Sequence, residues 1–146
     1  MKKRAAASLL LIAAVLTACG GKEVSYQDGT YEGKSAVYEG EEEDGAGNGY
    51  GVAKVTITNG AITDCTFMTY DEDGTEKGED YGKEDGRIAN RDYYNKAQKA
   101  NAARDEYASM LIENGQLDGI DAISGATINY HEFVEAVENA LAEAAE

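Results

Sequence analysis

The sequence has no tryptophan, one histidine, two phenylalanines and two cysteines among its 146 residues. Basic residues are scarce as well, 13 against 28 acidic ones, for a formal net charge of −15. That balance excludes nucleic acid as a natural partner, because its phosphates would be repelled. Apolar runs are short: the longest, from Ala5 to Val15, falls well below the roughly 20 residues that a membrane-spanning helix needs. With Cys19 expected to be acylated, as argued next, Cys65 is the only free cysteine, so an internal disulfide is impossible. A lone cysteine in a strand-like run reads as a small core residue rather than a nucleophile.

What is present begins with a leader. Lys2, Lys3 and Arg4 precede the apolar run, and Leu16-Thr17-Ala18-Cys19 follows it. A charged region, a short apolar region and small residues before a cleavage point are the marks of a secretory signal. The stretch ending in Cys19 resembles the lipobox of bacterial lipoproteins, in which the cysteine is acylated and becomes the new N-terminus. The expected organisation is a signal peptide over 1–18, a lipidated tether over 19–29 and one domain over 30–146. Removing three basic and no acidic residues with the signal would take the charge from −15 to −18 and leave 128 residues, enough for one core.

Thr30 to Tyr38 is rich in Tyr and Val and predicts a first strand. Residues 39–49 predict an acidic, glycine-rich loop. Tyr50–Thr58 and Ala61–Tyr70 predict two strands joined at Asn59-Gly60, a strong hairpin signal. A two-residue turn would set Val55 opposite Asp64 and Ala53 opposite Thr66. A three-residue loop with Gly60 left-handed would align Ala53 with Cys65 and Gly51 with Phe67. The second is the expectation, since it gathers Ala53, Val55, Ile57, Cys65 and Phe67 on one face. Residues 71–92 predict a second long acidic loop. Its Asp71-Glu72-Asp73-Gly74 start does not match a calcium-binding EF-hand, which needs Gly at position 6 and Glu at position 12; a solvated loop is expected.

Apolar residues then recur at helical spacing from Tyr93 to Asn114, with Gly115 as the stop. A second helical stripe runs through Tyr130, Phe133, Val134, Val137 and Leu141, with Asn129 and Glu132 placed as a capping pair and His131 facing solvent. The expected fold is α+β: a small antiparallel sheet of three to four strands with two helices packed on one face.

Between the helices lies Asp121-Ala122-Ile123-Ser124-Gly125-Ala126-Thr127. This run resembles the flavinylation signature of the covalent-FMN-binding domain family, known from extracellular flavoproteins and from subunits of the sodium-pumping NADH:quinone reductase and Rnf complexes. The resemblance extends to the opening Asp28-Gly29-Thr30-Tyr31, to the hairpin at Asn59-Gly60 and to the helix bearing Phe133, Ala136 and Val137. It implies FMN as cofactor, joined through its phosphate to Thr127 by a separate flavin transferase. Ser124, Gly125 and Ala126 would be the recognised run, and Asp121 the upstream acidic position. A helix N-terminus just after the motif would favour a phosphate. The same residues could instead form a plain tight turn with a hydroxyl cap. Tyr50, Tyr81, Tyr93 and Tyr94 are candidates to stack on the isoalloxazine, although packing is the commoner role of each.

The resemblance thus implies an electron carrier rather than a turnover enzyme, with FMN supplying the redox chemistry. It would sit on the extracytoplasmic face of the membrane, anchored through Cys19, and meet a redox partner protein or acceptor there. No nucleophile–base pair and no metal site is expected. The competing readings are a cofactor-free acidic lipoprotein that binds a cation or a protein partner, and a calcium-dependent structural module resting on the acidic loops.

Overall fold

The structure, a computed structural model, describes residues 24–40 and 47–146. The expected signal peptide, Cys19 and the first part of the tether lie outside the described residues, as does the centre of the first acidic loop.

Three strands form one antiparallel sheet in the order β1 (Gly29–Lys34), β2 (Tyr50–Thr58), β3 (Ala61–Tyr70). Two helices follow, α1 (Arg91–Asn114) and α2 (Thr127–Ala144), and both pack on the same face: α1 against β3, α2 against β1 and β2. The α+β class and the face shared by the helices agree with the sequence pattern. Ala53, Val55 and Ile57 of β2 and Cys65 and Phe67 of β3 are all buried there. They meet Tyr107 and Leu111 of α1 and Phe133, Ala136 and Val137 of α2. Phe133 lies between Phe67, edge-on at 5.2 Å, and Tyr107, stacked at 5.4 Å.

The hairpin register differs from both sequence alternatives. Asn59 and Gly60 carry φ of 54° and 76°, so the connection is a two-residue turn with both residues left-handed. Thr58 pairs with Ala61 and Ile57 with Ile62, but beyond them Val55 faces Cys65 and Ala53 faces Phe67. The register shifts between Thr56 and Ile57, and Thr63 is the residue left without a partner. A bulge at that point explains why Ile62 and Cys65, three apart, are buried on one face. The extra residue is in the strand, not in the loop.

β1 is shorter than Thr30–Tyr38. After Lys34 the regular ladder is interrupted: the Ser35 hydroxyl accepts the Gly51 N–H at 2.9 Å, the place a strand carbonyl would take, and pairing resumes one step out of register at a Tyr38–Gly49 bridge. The described part of the expected tether is paired: Tyr26 bridges Ala145, and Gln27 N–H donates to the Ala144 carbonyl. The folded unit thus begins ahead of Thr30. α2 lies so close to β1 that a Cβ on Gly33 would overlap the Ala136 carbonyl and the Ala140 amide. Glycine on the strand and the alanines of α2 allow that approach together.

α1 starts two residues before Tyr93 because the Asn90 side chain accepts the Tyr93 N–H at 3.1 Å. It ends at Gly115, left-handed at φ 73°. α2 starts at Thr127, so Asn129 and Glu132 are not a cap. They are the third and sixth residues of the helix, both buried, and Asn129 Nδ2 donates to the Ala100 carbonyl of α1 at 2.7 Å. Cys65 is 5% exposed, and burial pushes its thiol up to about 12, which suits a core residue.

Candidate functional site

The segment from 116 to 126 is held by tyrosine hydroxyls. Tyr107, fully buried on α1, donates to the Ala126 carbonyl at 3.0 Å and accepts the Ile123 N–H at 2.8 Å. Tyr130 donates to the Ile120 carbonyl at 3.0 Å. Within the motif Ala126 N–H bonds back to the Ile123 carbonyl at 2.9 Å, and Gly125, third in that four-residue turn, has φ 81°. A type II turn requires that sign at its third position, and glycine takes it without steric cost. Ser124-Gly125 is therefore a tight turn, and it delivers the chain directly into α2.

Thr127 is the first residue of α2 and is exposed. The N-cap, Ala126, offers no side-chain acceptor to the first turn. The amides there remain available for an anion, and the positive end of an 18-residue helix favours one. Thr127 stands on the rim of an open cleft of about 140 Å³, to which Gly125, Ala126 and Asn129 also contribute. Asp121 and Ser124 are exposed and do not line it.

The opposite wall comes from the second acidic loop and from α1. Tyr81 and Tyr93 line the cleft; Tyr50 and Tyr94, the other two candidates, do not. Tyr50 stacks on Tyr70 at 5.4 Å under the Lys34 ammonium, and Tyr94 donates to the Glu79 carbonyl at 3.3 Å. Burial, with the neighbouring Tyr93 hydroxyl bonded to it, drives the Tyr81 hydroxyl above its ordinary range. The loop is not merely solvated. Asn101 Nδ2 of α1 donates to the Gly78 carbonyl at 2.9 Å, and Gln98 Nε2 donates to the Tyr81 carbonyl at 2.9 Å. Lys77 is inside, 4% exposed, with Nζ donating to the Gly47 carbonyl at 2.9 Å.

Charge around Thr127 runs against the composition. Lys77 and Lys96 line the cleft, and the Lys99 ammonium lies 3.6 Å from where a Gly125 side chain would start. An acidic chain thus places three ammonium groups around the motif. Lys96 and Lys99, three apart on α1, are neighbours by helical spacing. Lys77 joins them only because the loop folds onto α1. His131 is exposed and stacks on Tyr38, with ring centroids 6.1 Å apart. Among the described residues no group of three His, Cys, Asp or Glu is placed to hold a metal ion, and no helix is long and apolar enough to cross a membrane.

A helix N-terminus, three ammonium groups and two tyrosine rings around one exposed hydroxyl fit a ligand with a phosphate and a planar ring. The comparisons with known proteins point the same way. The family described as FMN-binding domain matches residues 47–142. The chain also resembles the crystal structure of the CPE2226 protein from Clostridium perfringens, with a TM-score of 0.55 and 21% identity. That likeness covers 82% of this chain and 88% of the other, and it concerns the fold alone. No curated protein matches the chain.

Proposed function

Since this chain belongs to the FMN-binding domain family, with FMN as its cofactor, we propose that it is an extracytoplasmic electron carrier whose FMN is esterified to Thr127. The observation that carries this reading is the position of Thr127. Its hydroxyl stands at an uncapped helix N-terminus, on a cleft whose wall holds Lys77 and Lys96. That hydroxyl is exposed, and Tyr107 fixes the backbone at both ends of the turn that precedes it, at Ile123 and at Ala126.

Attachment is a phosphoryl transfer catalysed by a flavin transferase. The Thr127 oxygen bonds to the FMN phosphorus of FAD, the pyrophosphate bond breaks, AMP leaves and the hydroxyl proton is lost. The lysines and the first-turn amides of α2 would then hold the phosphodiester, and Tyr81 and Tyr93 would border the ring. FMN supplies the electron-accepting chemistry; the protein supplies attachment, exposure and field. An ester keeps the cofactor from washing out of a compartment open to the medium.

Anchoring belongs to the same reading. Lys2-Lys3-Arg4, the apolar run and Cys19 support export and acylation, with the domain tethered a few residues from the membrane. Co-expression with a flavin transferase should give a protein that stays fluorescent in a denaturing gel, whereas the Thr127→Ala variant should be dark. Fluorescence retained by the alanine variant would refute attachment at this residue.

A further inference from the structure

Behind the cleft wall lies a buried polar cluster that the phosphate site does not use. Glu132 is 0% exposed, yet neither carboxylate oxygen has a hydrogen-bond partner among the described residues. Thr69 Oγ1 is in the same condition. The two are brought together at a glycine: Gly51 faces Thr69 across the β2–β3 ladder, and a Cβ on Gly51 would stand 3.0 Å from that of Glu132. Lys77 connects this cluster to the cleft. It lines the cleft and holds the Gly47 carbonyl there, while its charge and that of Glu132 act on each other without a direct ion pair.

A buried carboxylate with no hydrogen bond is costly in its charged form. Here burial raises the Glu132 carboxyl from 4.5 to about 7, against the opposing pull of Lys77. Lys77 is lowered, again by burial first. The other ionisable groups in this field are Asp71 and Tyr81 of the loop and Tyr38 after β1. At their point of contact with Glu132, β2 and β3 present the uncharged Gly51 and Thr69. The group is poised to change charge, and the cleft beside it is where charge would change.

We infer that Glu132 takes up a proton when FMN in the cleft is reduced, with Lys77 transmitting the field between them. This rests on the reading of the cleft as the FMN site. Two electrons from a reductant and one proton from solvent turn the oxidised ring into its anionic reduced form, leaving the cleft one charge more negative. Glu132 then binds a second solvent proton, forming one O–H bond and neutralising its carboxylate. Reoxidation by an acceptor reverses both steps.

The test has two arms. In the flavin-free Thr127→Ala protein, infrared difference spectra across a pH series should show a carboxyl band that titrates near neutrality and vanishes with Glu132→Gln. With FMN bound, the midpoint potential against pH should fall more steeply above neutral pH in the otherwise unaltered protein than in Glu132→Gln. One extra proton per two electrons adds about 30 mV for each tenfold change in proton concentration. Lys77→Met, a check that keeps the carboxylate, should move the titrating band to higher pH. Parallel potential lines, or a band indifferent to Glu132→Gln, would overturn the inference. Flavin attached at another residue would overturn the proposed attachment and leave the infrared arm untouched.

Discussion

Replacing Tyr107 by Phe tests how the motif is held. The ring is 0% exposed and stacks on Phe133, so the substitution keeps shape and burial and removes one oxygen. Two hydrogen bonds go with it, but their losses differ. The Ala126 carbonyl also accepts the Tyr130 N–H at 3.0 Å and stays satisfied, whereas the Ile123 N–H has the tyrosine oxygen as its partner at 2.8 Å. Leaving a part-buried amide unpaired costs about 1–3 kcal/mol, and the bond to Ala126 adds about 1 kcal/mol. A total of about 2–4 kcal/mol is expected from urea unfolding, with the slope of the transition unchanged. Native-state hydrogen exchange should show the Ile123 amide losing protection while the core strand amides of β2 retain theirs relative to global stability. The yield of flavinylation should fall as well, because Thr127 would be presented by a looser turn. A loss below about 0.5 kcal/mol with Ile123 still protected would refute the claim that this hydroxyl positions the motif.

Other outcomes follow from the same residues. Glu132, raised from 4.5 to about 7 in the folded chain, binds more protons there than when unfolded, so its contribution is complete below about pH 4.5 and is lost as pH rises through 7. The unfolding free energy of the natural chain should therefore fall by about 3 kcal/mol relative to that of Glu132→Gln over that window, measured by urea titration at each pH. Cys19→Ser should move the protein from the membrane fraction to the soluble one, since a doubly acylated cysteine anchors firmly and the described residues hold no spanning helix; unchanged fractionation would point to a retained leader. With a formal charge of −15, or −18 once the expected signal is removed, reoxidation of the reduced protein by a cationic cytochrome should slow as salt is raised from about 0.1 M to 1 M and the Debye length falls from about 10 Å to 3 Å. A rate indifferent to salt would mean that the acidic loops do not steer.

The strands and helices were legible because their apolar residues recur with the right period: Ala53, Val55 and Ile57 by twos, and Tyr130, Phe133, Val137 and Leu141 by threes and fours. The hairpin register was not, although a signal existed. Ile62 belongs to the buried set and breaks the period of two from Cys65, which requires an unpaired residue inside the strand rather than in the turn. The capping pair failed because Asn129 and Glu132 have the spacing of a cap and the burial of a core, and burial is decided by tertiary contacts. The motif and Thr127 could be read as a local string. Lys77 could not, since it comes from a loop whose acidic neighbours suggest solvent, and tertiary contacts from Tyr94, Gln98 and Asn101 of α1 draw that loop inward.

Attachment itself is tested most directly by mass. After co-expression with a flavin transferase and proteolysis, the peptide that carries Ser124 to Thr127 should gain the mass of one FMN less one water, and fragmentation should place the gain on Thr127 rather than Ser124. The Thr127→Ser variant, which keeps a hydroxyl at the helix start, should gain the same mass in lower yield. An unmodified Thr127 beside flavin found elsewhere in the chain, or FMN that washes out completely on denaturation, would contradict the account.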